Sequence, residues 1–547
     1  MGLKSLIQSI TKKEWHWVIF LIAVMILITT APYIYAYLNT PAGYFYNGIH
    51  ALTPGDLPVY FSYINQAKEG DWILKNNFTS EFQEQGLLNL FWLKIGLLAR
   101  LFNLSPALAF QIARIFLLAL LFSILYVFIC YFFEDKFKRK FSLIFLAFAS
   151  GIGAYAIPFL GDPHTFYRIH NWPIDLWITD SNIFLAAYHS PHLIMSLICM
   201  ISFFLLGLLS LEKKQYFYAF FAGLVGLYWF NFHPYYFPLA FLVLFFYSLY
   251  LFVKNPRVYP VFNFFIILIL SLPFVAYHFY KLQTDEMVGL RAAQNITLLP
   301  NFPYIFLGYG FIFVMAVIAV VYLIKTRQIF GEKYIFLLSW IAGSFIMLYL
   351  PFQFQRRYFL GLIIPLALLN VVVFAEIFKW LKNKYNFNIL KNKILLGYLF
   401  LIFFGFSNFF NLVRDVYYFN ASFQKFYLPK EYQEAVLWLK ENNFEKKVVF
   451  SYEYTSGQIP ALVNQPVYLS HSDHETLFYS DKKIKVDNFL AGIYGSSEEI
   501  EFLRQNNIGY LFFSDLEKKS ASYQPQEKQY LNKVFEKGEI EIYEFIN

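Results

Sequence analysis

Residues 52–80, LTPGDLPVYFSYINQAKEGDWILKNNFTS, follow the first long apolar run and set an acid, Asp56, in a Pro/Gly turn one short loop beyond it. Glu69 and Asp71 come next, with aromatics between them. A carboxylate held where membrane meets water suits chemistry on a substrate carried by lipid. Topology decides whether this stretch lies at such a boundary.

The composition surrounding it is that of a membrane protein. Of the 547 residues, 58% are hydrophobic, 22% aromatic and only 15% charged, which excludes an ordinary soluble globular chain. Apolar runs long enough to cross a hydrocarbon core of about 30 Å recur as far as Leu412. The net charge of +8 is no nucleic-acid signal, because most Lys and Arg sit in short connectors between those runs. Both cysteines, Cys130 and Cys199, fall inside apolar runs, so neither a disulfide framework nor a Cys-based metal site is expected. The leading MGLKSLIQSITKKEW shows no clear cleavage site, and Trp15–Leu38 reads as a retained first span.

Lys4, Lys12 and Lys13 place the N-terminus in the cytoplasm and the Asp56 loop outside. The next apolar segment, 87–104, is long enough to span but carries Lys94 and Arg100. If it crossed, the basic connectors EDKFKRK (134–140), Lys213/Lys214, Lys254/Arg257, Lys325/Arg327/Lys333 and KWLKNKYNFNILKNK (379–393) would all move outside. The charge bias therefore makes it a juxtamembrane helix lying in the interface. The remaining runs, 106–133, 141–160, 184–211, 216–231, 235–253, 258–280, 301–324, 334–350, 359–379 and 394–412, bring the expected spans to about eleven. The loops 39–105, 161–183, 281–300, 351–358 and everything from about Val413 are then outside.

The chain divides by composition into a membrane domain, 1–412, and an outer segment, 413–547, of soluble character. In the latter, LPKEYQEAVLWLKEN reads as an amphipathic helix, KKVVFSY and PVYLS as strands and SGQIPALVN as a short helix. SSEEIEFLRQNN reads as a helix, IGYLFFS as a buried strand and KVFEKGEIEIYEF as a hairpin turned at Lys537-Gly538. Alternating strands and helices predict a small α/β domain outside the cytoplasm.

Polar residues near the outer boundaries form a short set. The loop 161–182 carries Asp162, Arg168, His170, Asp175 and Asp180, and leads into IFLAAYHSPHL, whose His189 and His192 stand three apart, as on one face of a helix. His233 and Tyr235 mark the turn NFHPYY (231–236), and Lys281 and Arg291 flank a loop with Asp285 and Glu286. Arg356 and Arg357 stand in PFQFQRRY at the mouth of a late span. Acids in outer loops are ordinarily solvated, and a lone His in a span is ordinarily a core residue. Asp180 differs because it adjoins an apolar run, where an ion is costly unless paired or functional. Two arginines at an outer boundary run against the charge bias and ask for an anion, and guanidinium forks suit phosphate. A structural lipid headgroup would satisfy them as well. An acid as general base and arginines on the phosphate of a lipid-borne donor compose a coherent transfer chemistry.

PGDLPVYFSYINQAKEGDWILKNNFTSE, DLWITDSNIFLAAYHSPHL, FNFHPYYFPL, QRRYFLGLIIPLAL and VNQPVYLSHSDHET together resemble segments of the GT-C superfamily, polytopic glycosyltransferases that use polyprenyl-phosphate-linked sugars. More narrowly, the chain is similar to an uncharacterised prokaryotic GT-C-like group. The resemblance implies an α-helical polytopic membrane protein with a C-terminal extracytoplasmic α/β domain, in the cytoplasmic membrane of a prokaryote. It implies inverting transfer of a sugar from a polyprenyl-phosphate-linked donor to a glycan, lipid or protein acceptor at the outer face. In this likeness Asp56 takes the place of the first-loop catalytic acid and Asp180 that of the second, where Glu is commoner. Arg356 and Arg357 take the place of lipid-phosphate ligands; beside that likeness, His189, His192, His233 and Tyr235 are expected to line the cavity and, with Arg291, to bind substrate. A divalent metal, Mg2+ or Mn2+, is compatible with the likeness, although the first loop carries a single acid where many relatives carry a pair. No WWDYG-type stretch occurs in the C-terminal segment, which argues against an oligosaccharyltransferase catalytic subunit.

Two other classes fit a many-span chain. A lipid or sugar transporter or flippase would place ionisable residues near mid-membrane. A non-catalytic scaffold would bind a partner through its outer domain. The sequons Asn77-Phe78-Thr79, Asn295-Ile296-Thr297 and Asn420-Ala421-Ser422 are read as chance in a prokaryote.

Overall fold

The structure, a computed structural model, describes residues 2–160, 172–212, 215–385, 393–471, 473–520 and 522–546. Eight of its helical segments are long and apolar enough to cross a membrane: Lys12–Leu38, Pro106–Phe132, Lys136–Phe159, Pro191–Glu212, Pro234–Lys254, Val258–Thr284, Gln355–Tyr385 and Leu395–Ala421. A ninth arises if Phe302–Tyr309 and Phe311–Lys325 form one broken span; they meet at an angle of 83°. Gly310, at φ +49° between them, occupies backbone space that L side chains rarely enter. The other two expected spans are present as helices, Tyr216–Phe232 and Glu332–Tyr349, of 17 and 18 residues. The chain is a multi-pass membrane protein of α-helical class, with a C-terminal region built on a sheet.

The described residues form two compact units. One comprises Met1–Pro32, Ala113–His278 and Thr297–Val416, the other Tyr33–Ile112, Phe279–Ile296 and Tyr417–Asn547.

In the first unit, buried ions are matched rather than stranded. Glu14 lies 3.5 Å from Arg139 and accepts from Tyr126 at 2.9 Å. Arg114, fully buried, donates to Thr29 and Thr30 and to the Ala187 carbonyl. An unmatched charge in apolar surroundings would cost several kcal/mol, which is what these partners offset. Ser407, Asn408, Asn411 and Asp415 are buried along one helix, which ties the Asn411 amide to the Asp175 carbonyl at 2.8 Å.

In the second unit the opening stretch becomes a helix, Asp56–Glu69, ended by Gly70 at φ +114°. It packs against Leu90–Leu101, whose N-cap Asn89 accepts from the backbone of Phe91 and Trp92. At 12 residues, about 18 Å, this second helix is too short to cross a bilayer. Its apolar face, including Phe91, Trp92, Ile95 and Ala99, is buried, and Trp92 stacks on Tyr60 at 4.9 Å.

A strand the sequence did not announce, β1 (Tyr44–Tyr46), pairs antiparallel with β2 (Tyr427–Pro429). The C-terminal sheet runs β3 (Val448–Phe450), β4 (Ile508–Phe513), β6 (Ile540–Phe545), β5 (Leu531–Lys537), with β3 and β4 parallel and the rest antiparallel. Both its faces are covered, which is why IGYLFF reads as an unbroken apolar run. Tyr432, Val436 and Leu439 of the helix Lys430–Asn442 cover Val449, Phe512 and Ile542. Val486, Phe489 and Leu490 cover Phe450, Leu511 and Phe513 from the other side. PVYLS is not a strand but a single parallel bridge, Val449–Val467. The hairpin turns at Gly538-Glu539, next to the expected place. This half of the unit is knitted to the first loop: Asn65 donates to the Ala461 carbonyl at 2.7 Å, and buried Asn77 to Asn464 Oδ1 at 2.7 Å.

Candidate active site

Of the nine residues singled out from the sequence, seven lie in the first unit and two, Asp56 and Arg291, in the second. Asp162, Arg168 and His170 fall outside the described residues.

In the first unit the chain leaves Trp177 and reaches Asp180 just before a short helix, Ile183–His189, capped by the Asn182 side chain. Ser190 is extended, and a new helix starts at Pro191. His189 and His192 are thus on two helices rather than on one face of one. Pro191 explains the break, since it disfavours helical geometry in the residue before it. Both imidazoles are nonetheless buried, 6.3 Å apart, and His192 lies 5.1 Å from His233. His233 ends the helix Tyr216–Phe232, and its buried Nδ1 has no hydrogen-bond partner among the described residues. Tyr235 is half-buried, 5.1 Å from the His233 ring.

Asp180 is buried and faces Arg357, whose Nη1 lies 3.4 Å from its Oδ2. The other carboxylate oxygen is 3.2 Å from the hydroxyl of Tyr236, which is also 2.9 Å from the Arg357 carbonyl. Arg356 lies with its guanidinium 5.0 Å over the Trp177 ring, a cation–π placement. Its backbone N–H donates to the Thr297 carbonyl at 3.1 Å. One guanidinium of the pair is thus matched with an acid and the other with an aromatic face.

Asp175, expected as a solvated loop acid, is instead fully buried. Gly153 donates to its Oδ2 at 3.2 Å, while Oδ1 has no hydrogen-bond partner among the described residues. Burial pushes this carboxyl up to about 7, with donors including the Ser407 hydroxyl and the Gly153 backbone pulling the other way.

In the second unit Asp56 is the first residue of its helix, partly exposed, where the helix dipole favours a negative charge. Its neighbour from the C-terminal region is His471, Nε2 of which lies 3.2 Å from the Gly55 carbonyl. A carbonyl can only accept, so the proton sits on Nε2. Nδ1 is then a bare acceptor, buried with no hydrogen-bond partner among the described residues. Burial draws the His471 pKa down, against the opposite pull of the Gly55 carbonyl and of Glu475 and Asp56. Arg291 forms an ion pair with Glu475, and its guanidinium lies 5.9 Å over Tyr63, on the helix that Asp56 opens. Burial lowers the Arg291 pKa, and the Glu475 carboxylate and Tyr63 together more than offset it, for a net rise. The segment that carries His471 and Glu475 is fixed to the first loop by Asn76 donating to the Glu475 carbonyl and Thr476 to that of Phe78, each at 2.7 Å.

Two participants escaped the sequence reading. Tyr236 touches Asp180, and no pattern in NFHPYY separates it from Tyr235. Arg114 did carry a signal, a lone charge inside an apolar run. Among the described residues no group of three or more His, Cys, Asp or Glu side chains could hold a metal ion. The divalent ion compatible with the resemblance therefore finds no ligand set among them.

No family model matches the chain, and no curated protein does. Among solved structures it is similar to the archaeal oligosaccharyltransferase AglB from Archaeoglobus fulgidus, in complex with an inhibitory peptide and a dolichol-phosphate. The identity is 12% and the TM-score 0.52, over 96% of this chain and 73% of that one. A crystal structure of the Archaeoglobus fulgidus oligosaccharyltransferase tethered with an acceptor peptide containing the NVT sequon gives 12% identity and 0.52, over 91% and 69%. ArnT from Cupriavidus metallidurans bound to undecaprenyl phosphate gives a weaker likeness, 11% and 0.47, over 97% and 98%. At such identities the likeness is one of fold: the chain shares the multi-pass membrane fold of these solved structures.

Proposed function

We propose that the chain is an inverting glycosyltransferase that moves a sugar from a polyprenyl-phosphate-linked donor to an acceptor at the outer face of the cytoplasmic membrane, with its N-terminus cytoplasmic and its C-terminal α/β domain outside. The observation that carries the reading is the arginine pair at the start of the segment Gln355–Tyr385. There Arg357 stands against buried Asp180 and Arg356 against Trp177, with buried His192 and His233 within electrostatic reach of Arg357. Such a cluster at the end of an apolar helix suits a phosphate whose tail stays in lipid. The fold supports the same reading, since a solved protein of this fold is complexed with dolichol-phosphate.

In the proposed reaction Asp56 takes the proton from an acceptor hydroxyl or amine. The acceptor's electron pair forms the new bond to the anomeric carbon, and the bond from that carbon to the phosphate oxygen breaks. The phosphate leaves with the electron pair, stabilised by Arg356 and Arg357, so no strong general acid is needed at that end. Asp180 orients substrate, and His189, His192, His233 and Tyr235 line its surroundings. Arg291, in the second unit, holds Glu475 and with it the segment that carries His471. The test is transfer from a labelled polyprenyl-phosphate sugar in proteoliposomes. Asp56→Asn, nearly isosteric, is expected to lose at least about 100-fold in rate; full transfer by that variant would remove Asp56 as the base.

A further inference from the structure

Asp180 and Arg357 are placed unequally. The Asp180 side chain is 2% exposed and anchored at the Tyr236 hydroxyl, whereas that of Arg357 is 24% exposed. Their closest approach, 3.4 Å, is longer than the 2.7–2.9 Å of a strong charge-assisted bond. Tyr236 also stands 2.9 Å from the carbonyl of Arg357, so its single hydroxyl proton is shared between the acid and the backbone that carries the guanidinium. The acid is thus fixed at the back, and the cation reaches it from a partly open side.

On the basis of the function proposed above, we propose that Asp180 is an internal stand-in for phosphate on Arg357. An arriving phosphate takes over the guanidinium, and the Asp180 carboxylate, still held by Tyr236, is released toward the substrate. Tyr236 is the positioning residue of this exchange. Two consequences follow from competition for one cation. The resting pair keeps a guanidinium from standing unmatched in apolar surroundings. Asp180 becomes available to substrate only after the donor phosphate has bound, which orders binding donor first. The apparent affinity for phosphate is reduced by the fraction of time Arg357 spends on Asp180.

The experiment is binding of farnesyl phosphate and, separately, of inorganic phosphate to the full chain in nanodiscs. Wild type is compared with Asp180→Asn, Arg357→Gln and the double variant. Asn keeps the shape of Asp180 and a partner for Tyr236 while removing its charge, so Asp180→Asn is expected to bind farnesyl phosphate about tenfold more tightly than wild type, as if Arg357 were nine-tenths engaged at rest. Tightening is not what a damaged fold produces. Arg357→Gln is expected to weaken binding about tenfold, and the double variant to match Arg357→Gln, because Asp180 acts through that cation. Tightening with farnesyl phosphate alone assigns the site to a lipid headgroup, and tightening with both probes assigns it to phosphate from either source; either outcome supports the exchange. Unchanged or weaker binding by Asp180→Asn, with Arg357→Gln still weakened, overturns the exchange and leaves the transferase reading in place. Wild-type binding that does not depend on Arg357 removes the phosphate role itself.

Discussion

Asp175 gives the sharpest test of how the first unit is held together. Its carboxyl is fully buried, with one oxygen bonded to the Gly153 N–H and the other without a hydrogen-bond partner among the described residues. An ordinary carboxyl releases its proton near 3.8, and this one is held to about 7 by burial. Between those values the folded chain binds one proton more than the unfolded chain. The stability this group contributes is therefore complete below about pH 4, falls by about 1.4 kcal/mol per pH unit, and levels off above pH 7. The full span is roughly 4 kcal/mol, of which roughly 2 kcal/mol falls between pH 5 and pH 7. Asp175→Asn keeps the shape and cannot titrate. Thermal unfolding in detergent, followed by tryptophan fluorescence from pH 5 to 8, should show the wild-type Tm falling several degrees further than that of the variant. Curves that stay parallel across the range would refute the account of Asp175 as a carboxyl kept neutral by burial.

Three further outcomes follow from the second unit. Arg291→Met should destabilise it by roughly 2–3 kcal/mol, since Glu475 is left as a largely buried, unmatched carboxylate. Glu475→Gln in that background should restore part of the loss, giving a coupling above about 1 kcal/mol in a double-mutant cycle. Gly96→Val should cost about 1–3 kcal/mol, because a Cβ there would stand 2.2 Å from that of Ala67 and 2.9 Å from the Ile64 carbonyl; Tm and protease resistance of the first loop would report it.

Much of the fold was legible because the bilayer imposes one dominant rule, a long apolar run for each crossing. The same rule fails for marginal segments. Tyr216–Phe232 and Glu332–Tyr349 were readable as helices, but their lengths leave the number of crossings open. Ile508–Phe513 was readable as a strand because it is buried on both faces, and the closing hairpin because Lys537-Gly538 marks its turn. The helix Tyr479–Leu490 was missed because YSDKKIKVDNFL is charged and buries only a narrow stripe, including Lys482 beside Glu81. β1 and β2 were invisible for another reason: three residues each, they are strands only by virtue of pairing across some 380 positions of chain. At the site, Asp180 and the arginines stood out as ions bordering apolar runs, and the Asp180–Arg357 pairing fits that signal. The link from Gly55 to His471 joins positions more than 400 apart and leaves no local trace.

The amide of Asn77 is spent on Asn464, and the hydroxyl of Thr79 lies within reach of buried Lys482. The tripeptide Asn77-Phe78-Thr79 is therefore sealed once folding is complete. A eukaryotic host that decorates such tripeptides during synthesis could add its glycan only before that seal closes, and would yield chains whose halves of this unit cannot dock. For producing the protein, the choice of host is thus a structural decision, and Asn77→Gln would not be a neutral remedy.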